Sequence, residues 1–299
     1  MYNRDKLLKY KLNNIIMQID FRKKEWEKAQ KVFDFYKQET TCFNKRGLLN
    51  VQPRYVVAID DDMASAYYAV YIANMADKQF GIRPRILCVG GIGMLSKYIN
   101  RLDDGTVLSE GQKLAMVVRR LGYSHWSVLD NGNNTGANIK EIIDYLAFNY
   151  AYDAPIIFCL TQRLSKRIER TVAYSTEQFP GTVALNAYYY VPDESLQDMC
   201  QLYNGKAIAN GLPLLSEAAA LYDRMNRYAG VYMSQMDKHI SKDVISAGEE
   251  LVRKYPVRVS RIPLSAPLQY CRMYFSLLKN RKAIDDDLQK KIAEWKTMV

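Results

Sequence analysis

Two stretches of this chain concentrate side chains able to do chemistry. The apolar run RILCV (85–89) stops at Gly90, Gly91 and Gly93, and the run SVL (127–129) stops at Asp130 and then NGNNTGAN (131–138). Between them, LSEGQKLA sets Glu110 at the start of a helix, and a third apolar run, IIFCL (156–160), ends in Thr161 and Gln162, with Arg167 in the helix that follows. Glycines at a strand end let a ligand approach the main chain closely, and asparagines offer donors and acceptors together. The combination suits recognition of a small polar molecule. Asp60, Glu110 and Asp130 are expected to bind its hydroxyls or amine, and Asn138 and Gln162 to complete the site. The backbone at 90–93 and the helix near Ala137, capped by Asn134 or Thr135, are expected to face an anionic group, and Arg167 a carboxylate or phosphate.

Each residue also has a reading that needs no ligand. Gly90 to Gly93 can form a tight turn, Ser109 and Glu110 a helix start, and 131–138 an Asn/Gly turn with a good cap. The glycine spacing does not make GxGxxG, because Ser96 stands where the third glycine belongs, so a dinucleotide fingerprint is missing. The two histidines, His125 and His239, and the five scattered cysteines give neither a zinc pattern nor a disulfide framework.

The elements that must position these residues alternate in type. Strands are predicted at 55–59, 85–89, 127–129, 156–160 and 182–190, and helices at 64–78, 110–121, 137–148 and 164–178. Continuously apolar strands between such helices predict an α/β fold: a Rossmann-like, doubly wound, mainly parallel sheet with helices on both faces. Ahead of it, Leu12, Ile15, Ile16 and Ile19, then Trp26, Ala29, Phe33 and Tyr36, recur at helical spacing and predict N-terminal amphipathic helices packed on the core. Beyond Pro192 the pattern is mainly helical, with Leu221, Met225, Tyr228, Tyr232 and Met236 on one stripe. The expected organisation is an N-terminal helical segment (1–50), a ligand-binding core (51–191) and a mainly helical C-terminal part (192–299).

Charge bears on partners. The net charge of +10 is unevenly placed, with +6 on residues 1–50, +5 on 240–299 and −1 on the stretch between. The expected site therefore lies in a nearly neutral region, and the basic termini read as solvated helix faces, with a nucleic-acid or partner surface as the alternative. No apolar run approaches the ~18 residues of a membrane span, which leads to the expectation of a cytoplasmic protein.

In order along the chain, these residues resemble the YdcF, SanA and ElyC-like family. The resemblance covers roughly 55–191: Gly90 and Gly91, Ser109 and Glu110, Leu121 and Gly122, Asp130, the Asn134-Thr135-x-x-Asn138 motif, then Thr161 and Gln162 with Arg167 or Arg170. It implies a Rossmann-like domain, S-adenosylmethionine as a ligand in the YdcF-like branch, and a role connected with the cell envelope in the others. The acid at the third strand end is Asp130 where that family commonly has Glu, and Ala137 stands where it has an acid. A second resemblance begins at Asp60-Asp61-Asp62, more carboxylates than helix capping needs. A strand followed by DxD is similar to the nucleophile motif of haloacid-dehalogenase phosphohydrolases, which implies Mg²⁺ on Asp60 and Asp62, with Thr161 and Lys166 as later motif residues. That family's further acidic pair is matched only by the run Asp285 to Asp287 in a charged tail, which makes this the alternative.

Overall fold

A computed structural model describes residues 23–59, 64–93, 100, 105–178, 185–192, 215, 218, 219, 221, 222 and 241–254. Five strands, β1 (Tyr55–Ile59), β2 (Arg85–Val89), β3 (Trp126–Leu129), β4 (Ile156–Cys159) and β5 (Ala187–Tyr190), form one sheet in the order β3-β2-β1-β4-β5. Every pairing is parallel, from Ile86 beside Trp126 at one edge to Cys159 beside Tyr190 at the other. The chain moves outward from β1 to β3, then returns to the far side of β1 for β4. This reversal creates a switch point between β1 and β4, where loops diverge above the carboxyl ends of the strands.

The strands are apolar throughout because both faces are covered. Successive side chains point to opposite faces, so Tyr55, Val57 and Ile59 pack with Leu87, Val89, Ile156 and Phe158 on one side, while Val56 and Ala58 pack with Ile86, Cys88, Ile157 and Cys159 on the other. The first face is closed by α4 (Thr135–Phe148), through Ile139, Ile142, Ile143 and Leu146, and by α5 (Gln162–Gln178), through Leu164, Ile168 and Val172. The second is closed by α2 (Ala64–Phe80) and α3 (Glu110–Arg120). A fully buried run of small residues, Ala66, Ala69, Ala73 and Ala76, lets α2 lie close to the sheet, and Leu114 and Val118 fill the space under α3. Burying a side chain such as Phe158 or Ile142 contributes roughly 1.5–3 kcal/mol, so these two faces supply most of the driving force. The fold is Rossmann-like α/β.

The N-terminal helix α1 (Lys23–Phe35) buries Ala29, Val32 and Phe33, and Tyr36 just beyond it is buried too. It packs against α6 (Lys242–Lys254), with ion pairs from Lys28 to Glu250 at 2.5 Å and from Lys254 to Glu25 at 2.8 Å. Part of the terminal basic charge is thus paired within the chain. Residues 40–42 run along the outer edge of β5, where Thr41 N donates to Tyr189 O at 2.8 Å and Val191 N to Thr40 Oγ1 at 3.0 Å. This strap covers an edge that would otherwise offer unpaired backbone groups. The predicted first amphipathic stripe (12–19) and the C-terminal stripe beyond Leu221 lie outside the described residues. Among the described residues no helix is long and apolar enough to cross a membrane.

Candidate functional site

The described residues among those singled out above sit at the carboxyl ends of the strands or in the first turns of the helices that follow, and the best-defined group forms where β2 and β3 stop. Gly90 leaves β2 with φ of 137°, a conformation open to glycine and strained for other residues. Its N–H donates to Leu129 O at 2.8 Å, and the next amide, Gly91 N–H, donates to Gly132 O at 2.7 Å, so the two strand ends are laced together. The packing there admits no side chain. A Cβ on Gly90 would lie 2.8 Å from both Cβ and Oε2 of Glu110 and 3.6 Å from Asn138 Nδ2, and a Cβ on Gly91 would press on the backbone oxygens of Asp130 and Gly132. Glu110 and Asn138, far apart in sequence, thereby converge on one glycine.

Helix α3 begins against this turn with every first-turn donor taken. Glu110 N–H donates to Gly91 O at 3.2 Å, Gly111 N–H to Gly90 O at 2.6 Å, and Lys113 N–H to Ser109 O at 3.1 Å. Gln112 N–H donates to Ser109 Oγ at 3.0 Å, while Ser109 N–H donates back to Gln112 Oε1, a capping box legible in the spacing Ser109-x-x-Gln112. Ser109 Oγ in turn donates to Asp130 Oδ2 at 3.0 Å, which brings the carboxylate at the end of β3 to the start of α3. Gly111 is also required: a Cβ there would lie 2.7 Å from Cys88 O. Glu110 is 9% exposed, and one turn on the buried Lys113 donates from Nζ to Asn100 Oδ1 at 3.2 Å.

The 131–138 stretch completes the group. Of the two cap residues expected, Asn134 is the N-cap, with Oδ1 accepting Ala137 N–H at 3.0 Å, and Thr135 is the first residue of α4. Glu141, in the second turn of α4, reaches back so that its carboxylate accepts from Asn131 N–H, Asn131 Nδ2 and Gly132 N–H at 2.7–3.2 Å. Sequence reasoning passed over Glu141, though it shares a helix face with Asn134 and Asn138. Asn138 is 5% exposed and lies over Gly132; among the described residues its Oδ1 has no hydrogen-bond partner. A buried acceptor without a partner costs about 1–3 kcal/mol.

These bonds bear on one expectation. Of the N–H groups at 90–93 and at the start of α4 that were expected to face a ligand anion, those of Gly90 and Gly91 donate to neighbouring carbonyls, that of Ala137 to Asn134 Oδ1 and that of Asn138 to Asn134 O at 2.9 Å.

Thr161, Gln162 and Arg167 follow β4, on the far side of β1 from β2. Thr161 precedes α5, its carbonyl accepting Leu164 N–H and Ser165 N–H, and among the described residues its buried Oγ1 has no hydrogen-bond partner. Gln162 Nε2 donates to Asp34 Oδ1 at 3.4 Å, and Lys166 Nζ to Gln38 Oε1 at 3.0 Å, so the N-terminal segment closes on the start of α5. Arg167 is half-buried on the second turn. Gly93 is buried at the end of the described glycine turn, whereas Asp60 and Asp62 lie outside the described residues.

The three described cysteines supply no thiolate to this site. Cys88 and Cys159 are fully buried strand residues and Cys42 is buried beside them; burial pushes the Cys42 and Cys88 thiols up to about 12 and that of Cys159 well upward, so none is a thiolate at neutral pH. Among the described residues no three His, Cys, Asp or Glu side chains come together as metal ligands. Comparison of the chain with protein-family models, with curated proteins and with solved structures gave no match.

Proposed function

We propose that this protein binds a small nucleoside-like molecule at the carboxyl ends of β2 and β3, with S-adenosylmethionine as the first candidate. The observation that carries the reading is the buried Asn138 Oδ1, without a hydrogen-bond partner among the described residues, held with Glu110 over the Gly90 turn. Parallel α/β sheets place ligands at strand ends because loops diverge there and backbone polar groups stop pairing. The ordered set from Gly90 to Asn138, similar to that of the YdcF-like family, supports the choice of ligand. Calorimetric titration with S-adenosylmethionine tests it: wild type binds, and Glu110→Ala and Asn138→Ala lose roughly ten-fold or more in affinity, the usual cost of one charge-assisted hydrogen bond. Variants that stay folded and bind as well as wild type would remove the assignment.

A Mg²⁺-dependent phosphohydrolase is the second reading, favoured by one feature. Ala58 pairs with Cys159, so β1 stops beside β4, the strand that leads to Thr161, at the switch point. Addition of Mg²⁺ and a generic phosphate ester to the same samples separates the two, since turnover that vanishes in Asp60→Asn belongs to this reading alone.

A further inference from the structure

The opposite edge of the sheet, where the strands begin, carries chemistry of its own. Backbone bonds align it: Ile86 N–H donates to His125 O at 2.9 Å, Arg85 N–H to Arg54 O at 3.1 Å, and Arg54 N–H to Pro155 O at 3.0 Å. The junctions that enter β1, β2 and β3 (44–54, 77–85 and 119–125) hold eight Lys or Arg and one acid, Asp77. The 44–49 turn joins this edge because Gln79, in the last turn of α2, binds Leu49 through both ends of its amide, at 2.9 and 2.8 Å. Arg46, Arg54, Arg83, Arg119 and Arg120 are exposed, and among the described residues none of them is in an ion pair. Arg119 and Arg120 suit the negative end of the α3 dipole, whereas Arg46, Arg54 and Arg83 lie between elements. Arg54 and Arg83 are laid on buried rings, 5.6 Å from the centroid of Tyr55 and 5.3 Å from that of Tyr123, which fixes each guanidinium without neutralising it.

The junction into β4 brings one acid, Asp153, and two bare rings: Phe148 is 85% and Tyr150 91% exposed. Tyr150, with φ of 50°, follows the C-cap Asn149; its N–H donates to Ala147 O and that of Ala151 to Leu146 O, an arrangement in which glycine is the usual residue. Tyr55 packs edge-on against Tyr145 with centroids 6.1 Å apart, and Tyr145 O accepts Asn149 N–H, so Arg54 and this turn border one pair of rings. We propose that the amino-terminal edge of the sheet binds single-stranded nucleic acid, with the arginines on successive phosphates and Phe148 and Tyr150 on bases. Guanidinium groups hold phosphate oxygens bidentately, and an exposed ring offers a stacking face to any base. An acidic polypeptide would satisfy the charges and leave the rings bare. The surface is separate from the Gly90 group, which lies at the other end of the same strands.

Fluorescence anisotropy on the full chain with a labelled oligo(dT) of about 12 nucleotides tests this. Binding is expected to weaken roughly fifty-fold between about 50 and 200 mM salt, the response to about four neutralised phosphates on a single strand. Arg54→Gln combined with Arg119→Gln, both at exposed positions, is expected to flatten the slope of log affinity on log salt by ~0.7 for each phosphate contact removed. Tyr150→Gly suits the backbone there and so keeps the fold; it is expected to weaken binding roughly five- to a hundred-fold with the slope unchanged. No binding at the lowest salt would overturn the proposal. So would a salt slope unmoved in the double variant, which would assign the contact to the basic termini. Tyr150→Gly binding as tightly as wild type would overturn it too, and displacement of the oligonucleotide by polyglutamate would then point to an acidic protein instead.

Discussion

The two ends of the parallel sheet that carry polar residues are assembled in different ways. Where β2 and β3 stop, the partners come from the adjoining turns and from the first turns of α3 and α4: Gly91 with Gly132, Ser109 with Asp130, Asn131 and Gly132 with Glu141. Where β4 stops, the partners come from the N-terminal segment: Gln162 with Asp34, Gln38 N–H with Ser165 Oγ, Lys166 with Gln38. The first group is laced in part by backbone bonds, Gly90 N–H to Leu129 O and Gly91 N–H to Gly132 O, that do not depend on any side chain. The second is held by side-chain contacts that a displaced N-terminus would release. A site that must keep its acceptors fixed is better served by the first arrangement, since the positions of Glu110 and Asn138 follow from the backbone itself.

The largest expected effect probes that backbone lacing. Gly91→Ala places a methyl against the carbonyl oxygens of Asp130 and Gly132, atoms that move only with both loops, and should cost ~3 kcal/mol or more in chemical unfolding. Gly122→Ala is the control: its φ of 80° is strained for alanine, yet nothing lies within 4 Å of the new methyl, so roughly 1 kcal/mol is expected. Near-equal losses would mean that the β2–β3 turn is not the tight junction described. Of intermediate size is Glu141→Ala, which strips three N–H groups of their acceptor and should cost about 1–2 kcal/mol. Its signature is local: amide exchange should accelerate at 130–134 and stay unchanged at 162–166, and acceleration at both would erase the distinction between the two ends.

Much of this arrangement was legible in the residues. The wholly apolar runs YVVAI and IIFCL required a sheet covered on two faces, and the strands fall where the runs do: 55–59 and 156–159. Ser109 caps α3 where a helix start is expected, and the cap of α4 falls on Asn134, one of the two residues its sequence offers. Lateral order was less accessible, because apolar strands pair equally well with several neighbours, and nothing in Thr161 says that β1 stands between it and Gly90. The same limit applies to the turn at Gly91. Glycine at a strand end signals close approach to the main chain, but the group that approaches Gly91 is the Gly132 carbonyl, a partner set by the β2–β3 pairing. Glu141 escaped notice because it lies seven residues past the cap, in a helix whose neighbouring acids and lysines are ordinary surface.

Hydrogen exchange read by mass spectrometry, with and without S-adenosylmethionine, tests the location of the site most directly, because it covers both ends of the sheet at once. Protection is expected in peptides spanning 90–93, 109–113 and 130–138, with little change at 23–40 and 242–254. Protection confined to the terminal helices, or to 161–167 with 130–138 untouched, would contradict a ligand site built on Gly90, Glu110 and Asn138.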